Sequence, residues 1–120
     1  MARSIARQDF LASVLVTAVE GGINYWAIMT GYHWKQDENH NLTSAEVMVL
    51  PDEDGAEWHK VTVGKIARGI QRILSTDFAV REDILRSIAG ANVTNDAGEI
   101  DSEAADVIVQ AALFGKLVYG

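Results

Sequence analysis

The pattern of hydrophobic and polar positions in the first half of the chain predicts one helix followed by three strands. Apolar residues recur at helical spacing over 5–19, and aromatic and β-branched residues then dominate the sequence up to Trp34. Gly31 interrupts this second stretch, and we expect a β-bulge there. Two shorter apolar runs flank the turn sequence PDEDG at 51–55, which favours an antiparallel meander. The predicted strands are 23–34, 45–50 and 57–61.

The second half of the chain has helical periodicity. Ile66 and Ile70 mark the apolar face of a helix that Thr62 caps. We expect the next helix to stop at Gly90 and a polar loop over 91–98 to follow it. The predicted helices are 63–74, 80–89 and one that begins after Asp101 or Ser102 and ends at Phe114, before Gly115. The fold class is therefore α+β, with an N-terminal helix, a small antiparallel three-stranded meander and three C-terminal helices.

The last predicted helix has a narrow polar strip. Between 104 and 114 the polar residues are Asp106 and Gln110, which lie four positions apart on one face. Because charged side chains are mostly exposed, we expect this strip to face water while the rest of the helix forms core. In the alternative, Asp106 and Gln110 face inward and hold a site, and the buried carboxylate then needs a hydrogen-bonding partner. Residues 117–119 follow, and they either add a strand or pack back on the core.

The segment EGGINYW at 20–26 has the residue types of a binding site. Tyr25 and Trp26 offer large rigid surfaces for stacking or for an interface. Glu20 and Asn24 add an acceptor and an amide. In the simpler alternative, the two glycines end the first helix in a left-handed cap, and the aromatic residues belong to a core strand. In the binding interpretation, this end of the first helix packs against the last helix, so that the two ends of the chain share one surface.

The helix predicted over 63–74 is the one strongly basic element of the sequence. Lys65, Arg68 and Arg72 fall on one side of it and predict a positive stripe, which can bind phosphates or an acidic partner. The alternative is a solvated face that pairs with the acidic loops of the same chain.

Composition restricts the classes of function. The 120 residues are 48% hydrophobic and 22% charged, which is typical of a single compact domain over 1–120. The chain has no cysteine, so a disulfide framework and a thiolate site are excluded. A formal net charge of -7 argues against direct binding to DNA or to an anionic membrane. No apolar run has the length of a membrane span, and we expect a cytoplasmic location.

The sequence predicts no catalytic set, no cofactor and no metal site. The polar stretch 92–101 resembles a calcium-binding loop, but apolar residues occupy three of the positions that would need oxygen ligands. We therefore expect a turn that initiates the last helix. The histidines lack the spacing of a zinc motif, and neither a phosphate-binding glycine loop nor a nucleophile motif occurs.

Both ends of the chain resemble a family of small uncharacterised proteins encoded by bacteriophages and prophages. The resemblance rests on EGGINYW at 20–26 and on DSEAADVIVQAALFGKLVYG at 101–120, and it extends through VTVGKIARGI at 61–70. It implies a phage origin and a shared fold, without an established activity. The positions that it marks for testing are Glu20, Asn24, Tyr25, Trp26, Asp106, Gln110, Phe114 and Tyr119.

These features favour a non-enzymatic phage accessory protein that acts by binding in the host cytoplasm. Its target would be a host protein or a small phosphorylated, nucleotide-like signal, held by Tyr25, Trp26 and the basic stripe. The first alternative is a structural homo-oligomer, in which the last helix and 117–119 pack against a second copy. A nucleic-acid mimic, in which acidic side chains occupy phosphate positions, and an enzyme are further alternatives.

Overall fold

The structure, a computed structural model, describes residues 3–75 and 77–120 and has the predicted α+β architecture. One helix precedes a three-stranded antiparallel sheet in the order β1-β2-β3, and three helices follow the sheet. The helices are α1 (Ile5–Thr17), α2 (Val63–Ser75), α3 (Glu82–Thr94) and α4 (Ser102–Phe114), and the strands are β1 (Ala27–Gln36), β2 (Leu42–Pro51) and β3 (His59–Thr62). Among the described residues, no helix has the length and hydropathy needed to cross a membrane.

One face of the sheet packs against α1. In β2, buried residues alternate with half-buried ones, so Val47 and Val49 point toward the helices. Gly31 has a φ of 62° and lies where the pairing register shifts between Thr30 and His33. The predicted bulge at Gly31 is therefore confirmed, because glycine adopts this conformation without steric cost.

The other face of the sheet is open to solvent and carries an apolar row, formed by Ile28, Leu50 and Trp58. Ile28 pairs with Leu50 across β1 and β2, and the register of β2 and β3, continued by one residue, places Trp58 beside Leu50. Ile28 is 52% exposed and Trp58 is 46% exposed. The row therefore lies on the surface, and Ile28 places one end of it on the edge strand β1.

The central element of the core is α4, and α2 crosses it at close range. All residues from 104 to 112 are buried, including Asp106 and Gln110. A Cβ atom at Gly69 would collide with the main-chain oxygen of Ile108. Glycine at this position is therefore what allows the backbones of the two helices to come so close.

The end of α1 differs from its prediction. Ala18–Gly22 forms a π-helical turn, and neither Gly21 nor Gly22 has a positive φ, so the predicted left-handed cap is wrong. Gly22 is required for space instead, because a Cβ there would lie 2.8 Å from the main-chain oxygen of Ser102. The expected packing of this end of α1 against α4 is confirmed by the same contact. Residues 23–26 then form a turn, and β1 begins only after it.

The bounds of α3 also differ from their prediction. The helix continues through Gly90 and ends at the left-handed cap Asn95, which has a φ of 59°. The predicted stop at Gly90 is therefore wrong, and the predicted loop 91–98 begins only at 95. Ile84 and Ile88 are buried with helical spacing, and this apolar face continues into the last turn, so the helix gains by continuing.

The turn before α4 is as expected. The Asp96 carboxylate accepts a hydrogen bond from Gly98 N at 2.9 Å, and the Asp101 carboxylate caps α4 by accepting from Ala104 N at 2.8 Å. At the other end, Gly115 is the left-handed cap with a φ of 71°. The predicted bounds of α4 are confirmed. Residues 117–119 form no strand, and Tyr119 packs back on the core while Leu117 and Val118 stay exposed, so the second of the two expected arrangements holds for Tyr119.

Candidate functional site

Asp106 is the centre of a buried hydrogen-bond network. Its carboxylate accepts from the Tyr25 hydroxyl at 2.6 Å, from Trp26 Nε1 at 2.8 Å and from Gln110 Nε2 at 2.9 Å. Asp106 is only 6% exposed, so these donors are the partners that a buried carboxylate requires. The expectation that Asp106 and Gln110 face water is wrong, and the inward alternative describes the structure.

Gln110 is fully buried and holds the main chain of residues 117–120, which we call the return segment. Its Oε1 accepts from Val118 N at 2.8 Å and from Tyr119 N at 2.9 Å, and its Nε2 donates to the Tyr119 main-chain oxygen at 3.2 Å. No backbone–backbone hydrogen bond joins the return segment to any other described residue. A single side-chain amide therefore makes the main-chain hydrogen bonds of this segment.

Three aromatic rings close over the network. Tyr119 stacks on Trp26 with ring centroids 4.8 Å apart and an interplanar angle of 5°. Phe114 meets both rings edge-on, with its centroid 5.7 Å from that of Trp26 and 5.9 Å from that of Tyr119. The Tyr119 hydroxyl is enclosed and lies near the Glu53 carboxylate. Burial, together with the nearby carboxylates of Glu53 and Asp52, raises the pKa of Tyr119.

The return segment is held by few contacts for its length. Ordering a backbone costs about 1–2 kcal/mol per residue, whereas a hydrogen bond contributes a net of about 1 kcal/mol. The hydrogen bonds to Gln110 therefore do not hold the segment alone, and the stacking of Tyr119 on Trp26 must supply the rest. Leu117 and Val118 add little, since they are 39% and 47% exposed.

An open cleft of about 350 Å³ lies between the return segment, the start of α3 and α4. Asp106 and Gln110 contribute its polar floor, and Tyr25 borders it. The side chains that form its walls are apolar, and they come from three parts of the chain that are distant in sequence. These wall residues are Val80, Ile84, Val107, Leu117 and Val118.

The mouth of the cleft carries exposed ion pairs. Arg81 contacts Glu103 at 2.7 Å and Asp83 at 3.0 Å, and these carboxylates raise the pKa of Arg81. Tyr25 connects the mouth to the floor, because its ring is on the surface while its hydroxyl donates to Asp106. Burial and then the hydrogen bond to Asp106 raise the pKa of Tyr25 to about 12.

The structure brings only part of the EGGINYW segment to this site. Its two aromatic residues contact Asp106, whereas Glu20 and Asn24 are exposed. The side-chain amide of Asn24 donates to the Val19 main-chain oxygen at 3.2 Å, which is a local contact. No hydrogen bond among the described residues joins Glu20 or Asn24 to Asp106 or Gln110.

The basic stripe on α2 is partly engaged within the chain. Arg72 Nη1 donates to the main-chain oxygens of Ala111 and Ala112 at 2.9 Å and 2.8 Å, and so satisfies carbonyl groups at the end of α4. Lys65 is half-buried and Arg68 is exposed. Anion binding by these side chains stays a prediction.

Sequence reasoning missed the residues that shape the cleft. The sequence predicts a helix that includes Val80 and Arg81 but no role for either residue, and it does not predict that Gln110 pairs with main-chain groups. A signal was present in the apolar residues 117–119, which follow a helix-ending glycine and therefore have to return to the core or remain exposed. No local pattern in the sequence identifies the residues that these positions contact.

The fold and the site define a small α+β protein whose central helix provides the polar floor of an open cleft. Both carboxylate oxygens of Asp106 accept hydrogen bonds from the chain itself. Among the described residues, no group of three or more potential ligands is placed to hold a metal ion. In comparisons with known proteins, no family model, curated protein or solved structure matches this chain. The resemblance to phage proteins stays a prediction.

Proposed function

We propose that this protein is a non-enzymatic phage accessory protein that acts in the bacterial host cytoplasm by binding a host protein in the cleft. The observation that carries the proposal is the cleft of about 350 Å³, with apolar walls above a polar floor. Asp106 and Gln110 already have hydrogen-bond partners in the chain, so the floor is ordered before a partner binds. Such preorganisation lowers the entropic cost of association. The phage origin rests on the resemblance of 20–26 and 101–120.

The charges around the cleft favour a protein partner over a small phosphorylated signal. Arg81 is already paired with Asp83 and Glu103, and Asp106 lies beneath them. A phosphate group would therefore meet more negative than positive charge. An apolar side chain flanked by Lys or Arg on a host protein is complementary to both the walls and the mouth.

The test is a photo-crosslinking residue at Leu117, in the wall of the cleft, compared with the same residue at Val93. Val93 is a matched control because it is apolar and 81% exposed, and it lies about 14 Å further along α3 than Ile84. We expect position 117 to give one crosslinked host protein in expressing cells, and position 93 to give none. Equal yields at the two positions, or no product at 117, would overturn the proposal.

Two charge substitutions sharpen this experiment. Val118→Glu in the background of the crosslinker at 117 should abolish the product, because it adds a carboxylate to the apolar wall. Val93→Glu should leave the yield unchanged. Thermal melts with a panel of cyclic and ADP-ribose nucleotides test whether the target is a small phosphorylated signal instead. We expect no shift in Tm, and a clear shift would favour the phosphorylated signal.

A second candidate function, assembly as a homo-oligomer, is favoured by the apolar row on the sheet. The apolar row is a better candidate surface than α4, because residues 104–112 of α4 are buried within one copy. Ile28 is exposed on the edge strand β1, and Trp58 is exposed on the same face of the sheet, so this face and the edge of β1 can pair with a second copy. Light scattering at high protein concentration tests this candidate. We expect Ile28→Lys to convert any dimer to monomer, and a strictly monomeric wild type excludes the candidate.

A further inference from the structure

We propose that the groove beneath the return segment is a peptide-binding site and that the return segment is its internal ligand. We call this groove, formed by Trp26, Gln110 and Phe114, the aromatic groove. The external ligand that fits it is an extended peptide in which an aromatic residue follows apolar ones, as in 117–120. The inference goes beyond the proposed function, because it does not require any partner in the cleft.

The first argument is the way in which Gln110 contacts the return segment. Its amide accepts from Tyr119 N and donates to the Tyr119 main-chain oxygen, so it pairs with both polar groups of one residue, as a neighbouring β-strand does. A further hydrogen bond comes from Val118 N. These contacts do not involve any side chain of the segment. They therefore accept any extended chain, which is the basis of strand-like peptide recognition.

The second argument is the aromatic slot, which supplies specificity. Trp26 stacks face to face on the Tyr119 ring at 4.8 Å, and Phe114 lies against its edge. The hydroxyl of Tyr119 is enclosed at the end of this slot, beside the Glu53 carboxylate. The slot is therefore suited to an aromatic ring and leaves no such contact for a small side chain.

The third argument is that the groove persists when the return segment leaves. Trp26 is positioned by its hydrogen bond to Asp106, and Gln110 also donates to Asp106. Neither contact involves the return segment. The segment itself follows the exposed residues Gly115 and Lys116, and its main-chain hydrogen bonds among the described residues all go to Gln110. Detachment therefore breaks a few contacts and leaves the floor of the groove intact.

The experiment adds synthetic peptides to the full chain carrying Tyr119→Ala, which weakens the internal ligand. The peptides are KLVFG, KLVYG and KLVAG with blocked ends, and binding is measured by calorimetry. We expect the variant to bind KLVFG and KLVYG and not to bind KLVAG. Wild type should bind KLVFG at least tenfold more weakly than the variant, because its own segment occupies the groove for most of the time.

Two controls separate the groove from the rest of the surface. Tyr119→Ala combined with Gln110→Leu should bind none of the peptides, whereas Tyr119→Ala combined with Val93→Ala should bind as Tyr119→Ala does. Circular dichroism verifies the fold of each variant. If Tyr119→Ala is unfolded, wild type is titrated with KLVFG and the amide resonances of Val118 and Tyr119 are followed, since displacement must shift them.

The inference is overturned if folded Tyr119→Ala binds no peptide, if it binds KLVAG as well as KLVFG, or if the fallback titration leaves both amide resonances unchanged. These outcomes do not depend on crosslinking at Leu117. Failure of the aromatic groove is therefore distinguishable from failure of the proposed function.

Discussion

The floor and the mouth of the cleft both contain charged groups, but these groups are in opposite physical situations. On the floor, Asp106 is 6% exposed and accepts from side chains that are 80 or more positions away in sequence as well as from Gln110. At the mouth, the Arg81 side chain is 60% exposed, and the carboxylates that it contacts are exposed to a similar degree. Water competes for the exposed ion pairs of Arg81 and screens them. The buried groups around Asp106 have no water to replace the hydrogen bonds that they make. The floor should therefore determine stability, and the mouth should determine recognition.

The largest expected effect tests the floor directly. Asp106→Ala leaves Trp26 Nε1 without its acceptor and removes one acceptor each from the Tyr25 hydroxyl and Gln110 Nε2, and an unpaired buried donor costs about 1–3 kcal/mol. We expect the free energy of unfolding in urea to fall by about 3 kcal/mol or more. Asp106→Asn should lose less, because its amide oxygen still accepts. If Asp83→Ala at the mouth destabilises the protein equally, the distinction between floor and mouth fails.

The next effect tests the close approach of the first helix to the floor. Gly22→Ala places a Cβ 2.8 Å from the Ser102 main-chain oxygen and 3.4 Å from Asp106 N, so α4 has to move. We expect the free energy of unfolding to fall by about 1–3 kcal/mol. Gly21→Ala is the matched control, because its nearest contact is an ordinary 3.8 Å. Equal urea midpoints for the two variants would contradict this account.

A smaller effect concerns Tyr25, which joins the floor to the mouth. The folded protein raises the pKa of Tyr25 from 10.0 to about 12, so it keeps a proton over a range in which the unfolded chain loses it. The free energy of unfolding should therefore fall as the pH rises from 10 to about 12. The fall is small because the ring is more than half exposed and screened by solvent. The measurement is a spectrophotometric titration of the tyrosines. Tyr25→Phe should remove a transition near pH 12 from it, and an unchanged titration would refute the raised pKa of Tyr25.

The smallest effect is expected at the mouth. Glu103→Gln breaks one ion pair of Arg81, but both side chains are mostly exposed, and such pairs contribute little. We expect a slight decrease of Tm at low salt that disappears at 1 M salt, where the Debye length is about 3 Å. A large decrease in Tm that persists at high salt would mean that this ion pair stabilises the protein as a buried interaction does, which would contradict the distinction between mouth and floor.

Much of the fold could be predicted from the sequence because local patterns determine it. Helical periodicity, the caps at Asp101 and Gly115 and the bulge at Gly31 all act through neighbouring residues. The errors arose where packing overrides a local signal. Gly90 has a poor helix propensity, yet α3 continues because its apolar face continues. Gly22 does not cap α1 but makes room for α4.

The site was less predictable, for a reason that concerns burial of polar groups. The rule that charged residues face water fails for Asp106, because three donors compensate for its burial. Two of those donors belong to the segment that the sequence singled out for its aromatic residues. Their pairing with α4 depends on the tertiary fold. No spacing in the sequence records it, and the walls of the cleft are unpredictable for the same reason.

The contact at Gly69 has a consequence for the dynamics of the whole molecule. At Gly69, α2 lies against the backbone of α4. One turn further along α2, Arg72 donates hydrogen bonds to carbonyl groups at the end of α4. Neither helix can therefore open while the other stays closed. Hydrogen exchange should report a single cooperative unit, in which the amides of 66–73 and 105–111 exchange at one common, slowest rate.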